Sequence, residues 1–201
     1  MKQYPSIPGW KKFPLGTRVI AFDKIDGSNI RCEWSKKRGW YKFGTRTQML
    51  DETNPVFGKA IPLFLDKYGD KLIKICVDEF RVSERVVAFC EFYGPNSFAG
   101  NHVETDEKNV ILLDVDIFKK GFVPPRQFIK LFDSLHIPKI IHDGNFNKEF
   151  IEQVRNNEFG LTEGVVSKAT ESVKIPITKV KTLDWLKRLK NELNENEPDQ
   201  E

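Results

Sequence analysis

The chain has 201 residues, 39% hydrophobic and 30% charged, which supports one packed domain and excludes a disordered chain. Thirty-two basic residues against 29 acidic ones give a net charge of +3. That is too small for the total charge to argue nucleic-acid binding, although a local basic groove fits it.

Three separated cysteines, Cys32, Cys76 and Cys90, favour free thiols in a reducing compartment over a disulfide framework or a zinc site. No apolar run is long enough to cross a bilayer and no signal-peptide pattern opens the chain. The expectation is a soluble, cytoplasmic protein without membrane contact.

Residues 1–18 carry Pro5, Pro8, Gly9, Pro14 and Gly16 and read as an extended lead-in anchored by Trp10 and Phe13. An apolar run at 19–22 and an alternating run at 30–34 flank Lys24-Ile25-Asp26-Gly27-Ser28-Asn29. The simplest reading is two short strands joined across a tight Asp-Gly bend, which would hold the Lys24 amine at a fixed place. Residues 35–39 are a basic turn. Residues 40–44 are a returning strand, followed by Thr45-Arg46-Thr47.

Residues 55–68 and 72–82 read as helices, the first limited by Pro62. Residues 86–92 alternate, with Val87, Phe89, Glu91 and Tyr93 on one face, and end at Gly94-Pro95-Asn96. Residues 110–118 are largely apolar, as a central strand would be. Pro124 and Pro125 open a helix whose core face is Phe128, Ile129, Leu131, Phe132 and Leu135. A short strand at 137–141 and a helix at 147–156 follow. Residues 163–168 and 173–180 read as paired strands. Leu183, Leu186, Leu189 and Leu193 then mark an amphipathic helix before an acidic tail at 194–201. Without a regular βαβ alternation, the fold class is α+β, with mainly antiparallel sheets flanked by helices.

Three polar clusters sit where core strands should not want them: Glu91, Glu163-Gly164-Val165-Val166-Ser167-Lys168, and Lys179-Val180-Lys181. Singly, each has an ordinary explanation. Glu91 could end its strand in water, and the two lysines could be a solvated face or edge protection. In order, however, the chain reads Lys-x-Asp-Gly, an arginine, a glutamate on a strand, Glu-Gly-x-Val and Lys-x-Lys.

With that set, from about residue 20 to 181, the chain resembles the covalent nucleotidyltransferases: ATP-dependent RNA and DNA ligases and messenger-RNA capping enzymes. Lys24 to Asn29, Ala88-Phe89-Cys90-Glu91-Phe92-Tyr93-Gly94 and Glu163-Gly164-Val165-Val166 are most similar to the double-strand-type phage RNA ligases. Twenty residues follow Lys181, too few for an oligonucleotide-binding barrel or the family's helical C-terminal domain. The expected organisation is a nucleotidyltransferase domain at 1–182 and a helix with a frayed tail at 183–201.

The resemblance implies an ATP-dependent RNA ligase acting through a covalent lysyl-AMP, with Mg²⁺ or Mn²⁺. Its partner would be RNA ends, nicked or base-paired. Lys24 is then the nucleophile. An ammonium has no lone pair, so this lysine must shed a proton, which nearby cations and partial burial favour. Lys179 and Lys181 supply cations that would also neutralise charge growing on the α-phosphate.

Glu163 is the metal candidate, since hard cations prefer oxygen. By the same resemblance Glu91 accepts from the ribose, Arg46 and Asn29 contact phosphate, and Asp26 serves nucleotide transfer or shapes the turn. Val166 and Leu112 form the adenine walls. Asp114-x-Asp116 has the form of a sugar-transferase metal pair but lies inside a strand. His102, His136 and His142 do not cluster and carry no assigned role. Residues 95–107 suit a lid or an RNA-contacting loop. The alternatives are a DNA nick-sealing ligase and a module that binds nucleotide or RNA ends without ligating.

Overall fold

The structure, a computed structural model, describes residues 1–82, 84–174 and 176–195. The chain forms two compact units: residues 1–6 with 26–138, and residues 7–25 with 139–201. Each unit is built on its own antiparallel sheet.

The first unit's sheet has six strands in the order β4-β3-β2-β5-β6-β7. They are β2 (Ser28–Ser35), β3 (Gly39–Gly44), β4 (Met49–Leu50), β5 (Arg85–Tyr93), β6 (Asn109–Ile117) and β7 (Gly121–Phe122). Residues directly opposite in an antiparallel pair share a face. Ile30 faces Cys90 and Cys32 faces Ala88, while Leu112 and Val115 face the same two β5 residues from the other side. That face is apolar and buried.

Three helices supply further core residues: α1 (Ala60–Phe64), α2 (Asp70–Phe80) and α3 (Pro125–Phe132). Phe64, Tyr68, Leu72, Phe128 and Phe132 are at most 1% exposed. Phe64 sets its ring 4.7 Å from Trp40. A π-turn at Leu65–Gly69 joins α1 to α2, and there the buried Tyr68 donates to the His136 carbonyl at 2.7 Å.

The opposite face of this sheet is polar. It carries Arg31, Glu33, Asp114 and Asp116, all buried. The first residues of the chain satisfy much of it. Tyr4 donates to Asp114 and Lys2 pairs with Asp116. Arg31 donates to the Met1 and Lys2 carbonyls at 3.3 and 3.2 Å. The Asp-x-Asp pair therefore already has protein partners.

The second unit's sheet has the order β10-β9-β1-β8. Its strands are β1 (Arg18–Lys24), β8 (Ile140–Asn145), β9 (Gly164–Ala169) and β10 (Ile177–Lys181). One face gives Val19, Ala21, Val165 and Val180 to a core with Phe146, Phe150, Ile151 and Val154. Most of these belong to α4 (Lys148–Arg155), which Asn147 caps by accepting from the Phe150 amide at 2.8 Å. The last helix is α5 (Leu183–Glu195), and Trp185 is its buried residue. Among the described residues no helix is long and apolar enough to cross a membrane. All three cysteines are free and buried, and burial pushes the Cys76 thiol up to about 12.

The α+β class with antiparallel sheets is as expected, and several local readings need correction. β1 and β2 are not hairpin partners, because they belong to different sheets. The helix expected from residue 55 starts at Ala60, since the Asn54 side chain captures the Val56 and Phe57 amides in a turn. The strand expected at 137–141 begins at Ile140, beyond Pro138, which has no N–H for a ladder. Pro124 and Pro125 do open α3, but it ends at Phe132, short of Leu135.

Close approach of backbone fixes Gly27 and Gly164 beside the expected site residues. A Cβ on Gly27 would lie 2.4 Å from the Phe92 carbonyl oxygen, and one on Gly164 would lie 2.1 Å from that of Val180. Gly164→Ala should therefore destabilise the protein by about 2–3 kcal/mol, as overpacking against backbone does. Thermal melting should show a fall of roughly 4–10 °C. Gly9→Ala, where nothing lies within 4 Å, should leave the melting temperature unchanged.

Candidate active site

Strand register puts the expected lysines together. Lys24 is opposite Gly164, and Gly164 is opposite Lys181, so one row runs across β1, β9 and β10. The middle position has no side chain, which leaves space between two lysines. Glu163, one residue before β9 and 2% exposed, fills the role of shared counter-ion. Its Oε2 accepts from Lys24 Nζ at 2.7 Å, and its Oε1 lies 2.9 Å from Lys181 Nζ. Lys181 Nζ also sits 3.4 Å from the centre of the Trp185 ring.

The next row is Phe22, Val166 and Lys179, and the third is Ile20, Lys168 and Ile177. Val166 is half-buried, so it offers an apolar surface on the lysine face. Lys168 is a fourth lysine on that face, 8% exposed, with its ammonium 4.9 Å from the Phe22 ring centre. Sequence reading gave it no role, although the alternation Gly164, Val166, Lys168 was there to be used. Trp185 was hidden because nothing local marks a helix tryptophan as a cation partner.

Asp23 is on the other face of β1, and its Oδ1 is buried without a hydrogen-bond partner among the described residues. Burial raises its carboxyl above the ordinary aspartate value. The Lys139 charge opposes that shift and the Glu163 charge adds to it.

The remaining candidates belong to the first unit. Asn29 and Glu91 are directly opposite on β2 and β5, on the polar face. Asn29 Nδ2 donates to the Cys90 carbonyl at 3.3 Å, and its Oδ1 is buried without a partner among the described residues. Arg46 is exposed on a turn that Thr45 shapes by accepting from the Thr47 and Gln48 amides. Arg31 Nε holds this turn by donating to the Thr45 carbonyl at 2.8 Å.

Leu112 is displaced from its expected position. A β-bulge between Phe89 and Cys90 pairs Ile111 with Glu91 and turns Leu112 to the apolar face beside Cys90. There it is 0% exposed and has no surface for a ligand. The extra residue of the bulge, Leu113, is the half-buried one.

Asp26 has a structural task. Its Oδ2 accepts from the Ala99 amide at 3.0 Å, within the connection 94–108 between β5 and β6. His102 of that connection lies 2.9 Å from Ser28 Oγ and packs against the rings of Phe57 and Phe92. Burial, with Lys108 nearby, lowers the His102 imidazole from its ordinary value. Two residues of the Lys-x-Asp-Gly-Ser stretch thus anchor a loop. The sequence assigned His102 no role because its partner lies far along the chain.

Residues 17–188 match the family model described as RNA ligase. The chain belongs to the RNA ligase family. No curated protein sequence matches it. Among solved structures it is similar to a Naegleria gruberi RNA ligase mutant with AMP and Mn, at 15% identity and a TM-score of 0.69. The same ligase with PPi gives 15% identity and a TM-score of 0.68. An archaeal ATP-dependent RNA ligase gives 18% and 0.64. These likenesses cover 94–95% of this chain but 50–59% of the solved ones, so the chain spans little more than half their length. At these identities they establish the fold: that of the RNA ligase nucleotidyltransferases.

No group of three or more His, Cys, Asp or Glu side chains among the described residues could hold a metal by itself. Glu163 fits the sparser kind of site, in which Mg²⁺ takes one or two carboxylates and substrate phosphates. Both its oxygens lie within hydrogen-bond distance of ammonium groups, so a cation there would displace one of them.

Two outcomes follow from these environments. A raised native value for Asp23 means that its contribution to stability is present below about pH 4 and lost as pH rises. Asp23→Asn should therefore melt higher than wild type at pH 7, with the gain vanishing near pH 4. Asp26→Ala should free the Ala99 amide and speed hydrogen exchange across residues 94–108 roughly tenfold, with β5 unaffected, measured by mass spectrometry.

Proposed function

We propose that this protein is an ATP-dependent RNA ligase that seals 5′-phosphate to 3′-hydroxyl ends through a lysyl-AMP on Lys24. The observation that carries the reading is the buried Glu163 shared between Lys24 and Lys181 on one sheet face. Family membership supports it, as does the chemistry named for the similar structures, which hold AMP with Mn, or PPi.

In the first step Lys24 sheds a proton, for which Glu163 Oε2 at 2.7 Å is the nearest acceptor. Its nitrogen then forms a bond to the α-phosphorus of ATP. The bond from that phosphorus to the bridging oxygen breaks, and pyrophosphate leaves with the electron pair. Lys179 and Lys181 share the face of Lys24 and would neutralise charge on the α-phosphate. Val166 offers the adenine a wall. Glu163 would hold a divalent cation together with the substrate phosphates. That cation would add charge neutralisation at phosphorus.

In the second step an oxygen of an RNA 5′-phosphate attacks the same phosphorus and Lys24 leaves, recovering its proton. Finally a 3′-hydroxyl attacks the 5′-phosphate, the strands join and AMP departs. In the first unit Glu91 accepts from the ribose, while Asn29 and Arg46 serve the phosphate-transfer steps. The preferred ends are nicked or base-paired RNA, and three buried free cysteines fit a cytoplasmic setting. Residues 1–182 serve as the adenylation domain.

Incubation with [α-³²P]ATP and Mg²⁺ or Mn²⁺ should label the protein. Lys24→Ala should abolish the label, and Glu163→Gln should reduce it at least about 100-fold, as loss of one charged catalytic partner does. No label with either metal would sink the proposal. Nicked duplexes with RNA or DNA on the 3′-hydroxyl side then discriminate the substrate, with sealing expected for RNA.

A further inference from the structure

At the far end of the six-stranded sheet two cavities adjoin, of about 370 and 220 Å³, sharing Phe80, Ile117 and Lys120 in their walls. They lie where α2 ends and the β6–β7 turn begins. Aromatic rings and cations alternate along this groove. The Arg85 guanidinium is 4.8 Å and Lys119 Nζ 5.2 Å from the Phe118 ring centre. Lys120 Nζ is 5.7 Å from that of Phe80 and donates to the Phe80 carbonyl. Arg81 adds a fourth cation at the rim of the smaller cavity.

Arg81 and Lys119 both have left-handed backbones, with φ of 52° and 63°. Such a conformation is uncommon outside glycine and asparagine, and it is held here by tertiary structure. The α2 cap fixes Arg81 through its amide to the Val77 carbonyl. The turn closed by the Lys120 amide to the Ile117 carbonyl fixes Lys119. Two cations are therefore presented on rigid backbone. Arg85 Nε is buried and has no hydrogen-bond partner among the described residues. Arg81, Lys119 and Lys120 line the cavities together with Glu79 and Glu84, so the cations outnumber the acids by one, and Arg85 stands beside them against Phe118.

We propose that this groove binds a single-stranded segment of the RNA substrate. Lys119, Lys120 and Arg81 take backbone phosphates, and a base stacks on Phe118. Interleaved rings and cations are what a single strand requires, since every base has a π-face and every linkage a charge. This rests on the RNA ligase reading and adds to it a second contact surface. Arg85 and Glu91 are six residues apart on β5, roughly 20 Å at strand rise. ATP bound near Glu91 does not reach the groove, whereas about six stacked nucleotides at 3.4 Å each do.

The test is fluorescence anisotropy of a 5′-phosphorylated 12-nucleotide RNA over a salt series, with lysyl-AMP formation measured on the same preparations. Lys119→Gly relieves its backbone, so weak binding could not be blamed on misfolding. Combined with Lys120→Gln, it should weaken RNA binding about five- to tenfold. It should also shrink the slope of log affinity against log salt by about 1.4, two phosphate contacts at 0.7 each. Phe118→Leu should weaken binding with the slope unchanged. Adenylation should be unaltered in both.

Normal labelling with RNA affinity and slope unchanged in the double variant would overturn the groove and leave the ligase reading intact. Absence of labelling in the wild type, with the slope change still seen, would do the reverse. Failure of the wild type to bind the RNA at any salt would also overturn the groove.

Discussion

One carboxylate between two ammonium groups governs the second unit. Glu163 is almost fully buried, and a charge in that position is tolerated only when paired. Lys24 and Lys181 pair with it from two strands that are not neighbours but flank a third. The lysine side chains keep 19 and 22% exposure, so the cation ends of the triad face water while the anion does not. Removing one lysine leaves Glu163 half-neutralised and buried, a loss of about 3–5 kcal/mol for a typical buried pair. Removing Glu163 costs less in desolvation but sets two cations side by side.

The same logic of paired charge explains the polar face of the first unit's sheet. Strands with Arg31, Glu33, Asp114 and Asp116 inward would be untenable if those groups lacked partners. Glu33 receives the Tyr41 hydroxyl at 2.6 Å, and the first four residues of the chain serve Asp114, Asp116 and Arg31. The N-terminal segment is therefore part of the fold's polar interior. Its sequence, rich in proline nearby, reads only as a lead-in.

Much of the candidate site was legible because strand alternation is local. Lys179 and Lys181 had to share a face, and so did Gly164 and Val166. The register that joins them to Lys24 is non-local but follows once β9 lies between β1 and β10. Other features were not legible, each for a physical reason. An Asp-Gly bend between two strands looks like a hairpin whether its strands pair or part for different sheets. A single-residue bulge between Phe89 and Cys90 reverses the faces of β6 on one side of it, and Leu112 went with it. The Asp26 to Ala99 and Ser28 to His102 contacts close over more than 70 residues, beyond any local pattern.

These contacts give the Lys24-Ile25-Asp26-Gly27-Ser28-Asn29 stretch a geometric meaning of its own. Lys24 ends β1, and Ser28 begins β2 in the other sheet. Only three residues make the transfer, and two of them, Asp26 and Gly27, have a fixed duty. Gly27 must be glycine because the Phe92 carbonyl occupies the space of its Cβ. Asp26 and Ser28 hold Ala99 and His102 in the middle of the loop that follows β5, and Asn29 is in register with Glu91. One residue inserted here would turn every β2 side chain to the other face. Arg31 would then lie among the helices and Ile30 on the polar side. The spacing between Lys24 and Asn29 is thus held by the sheet's need to bury the correct face.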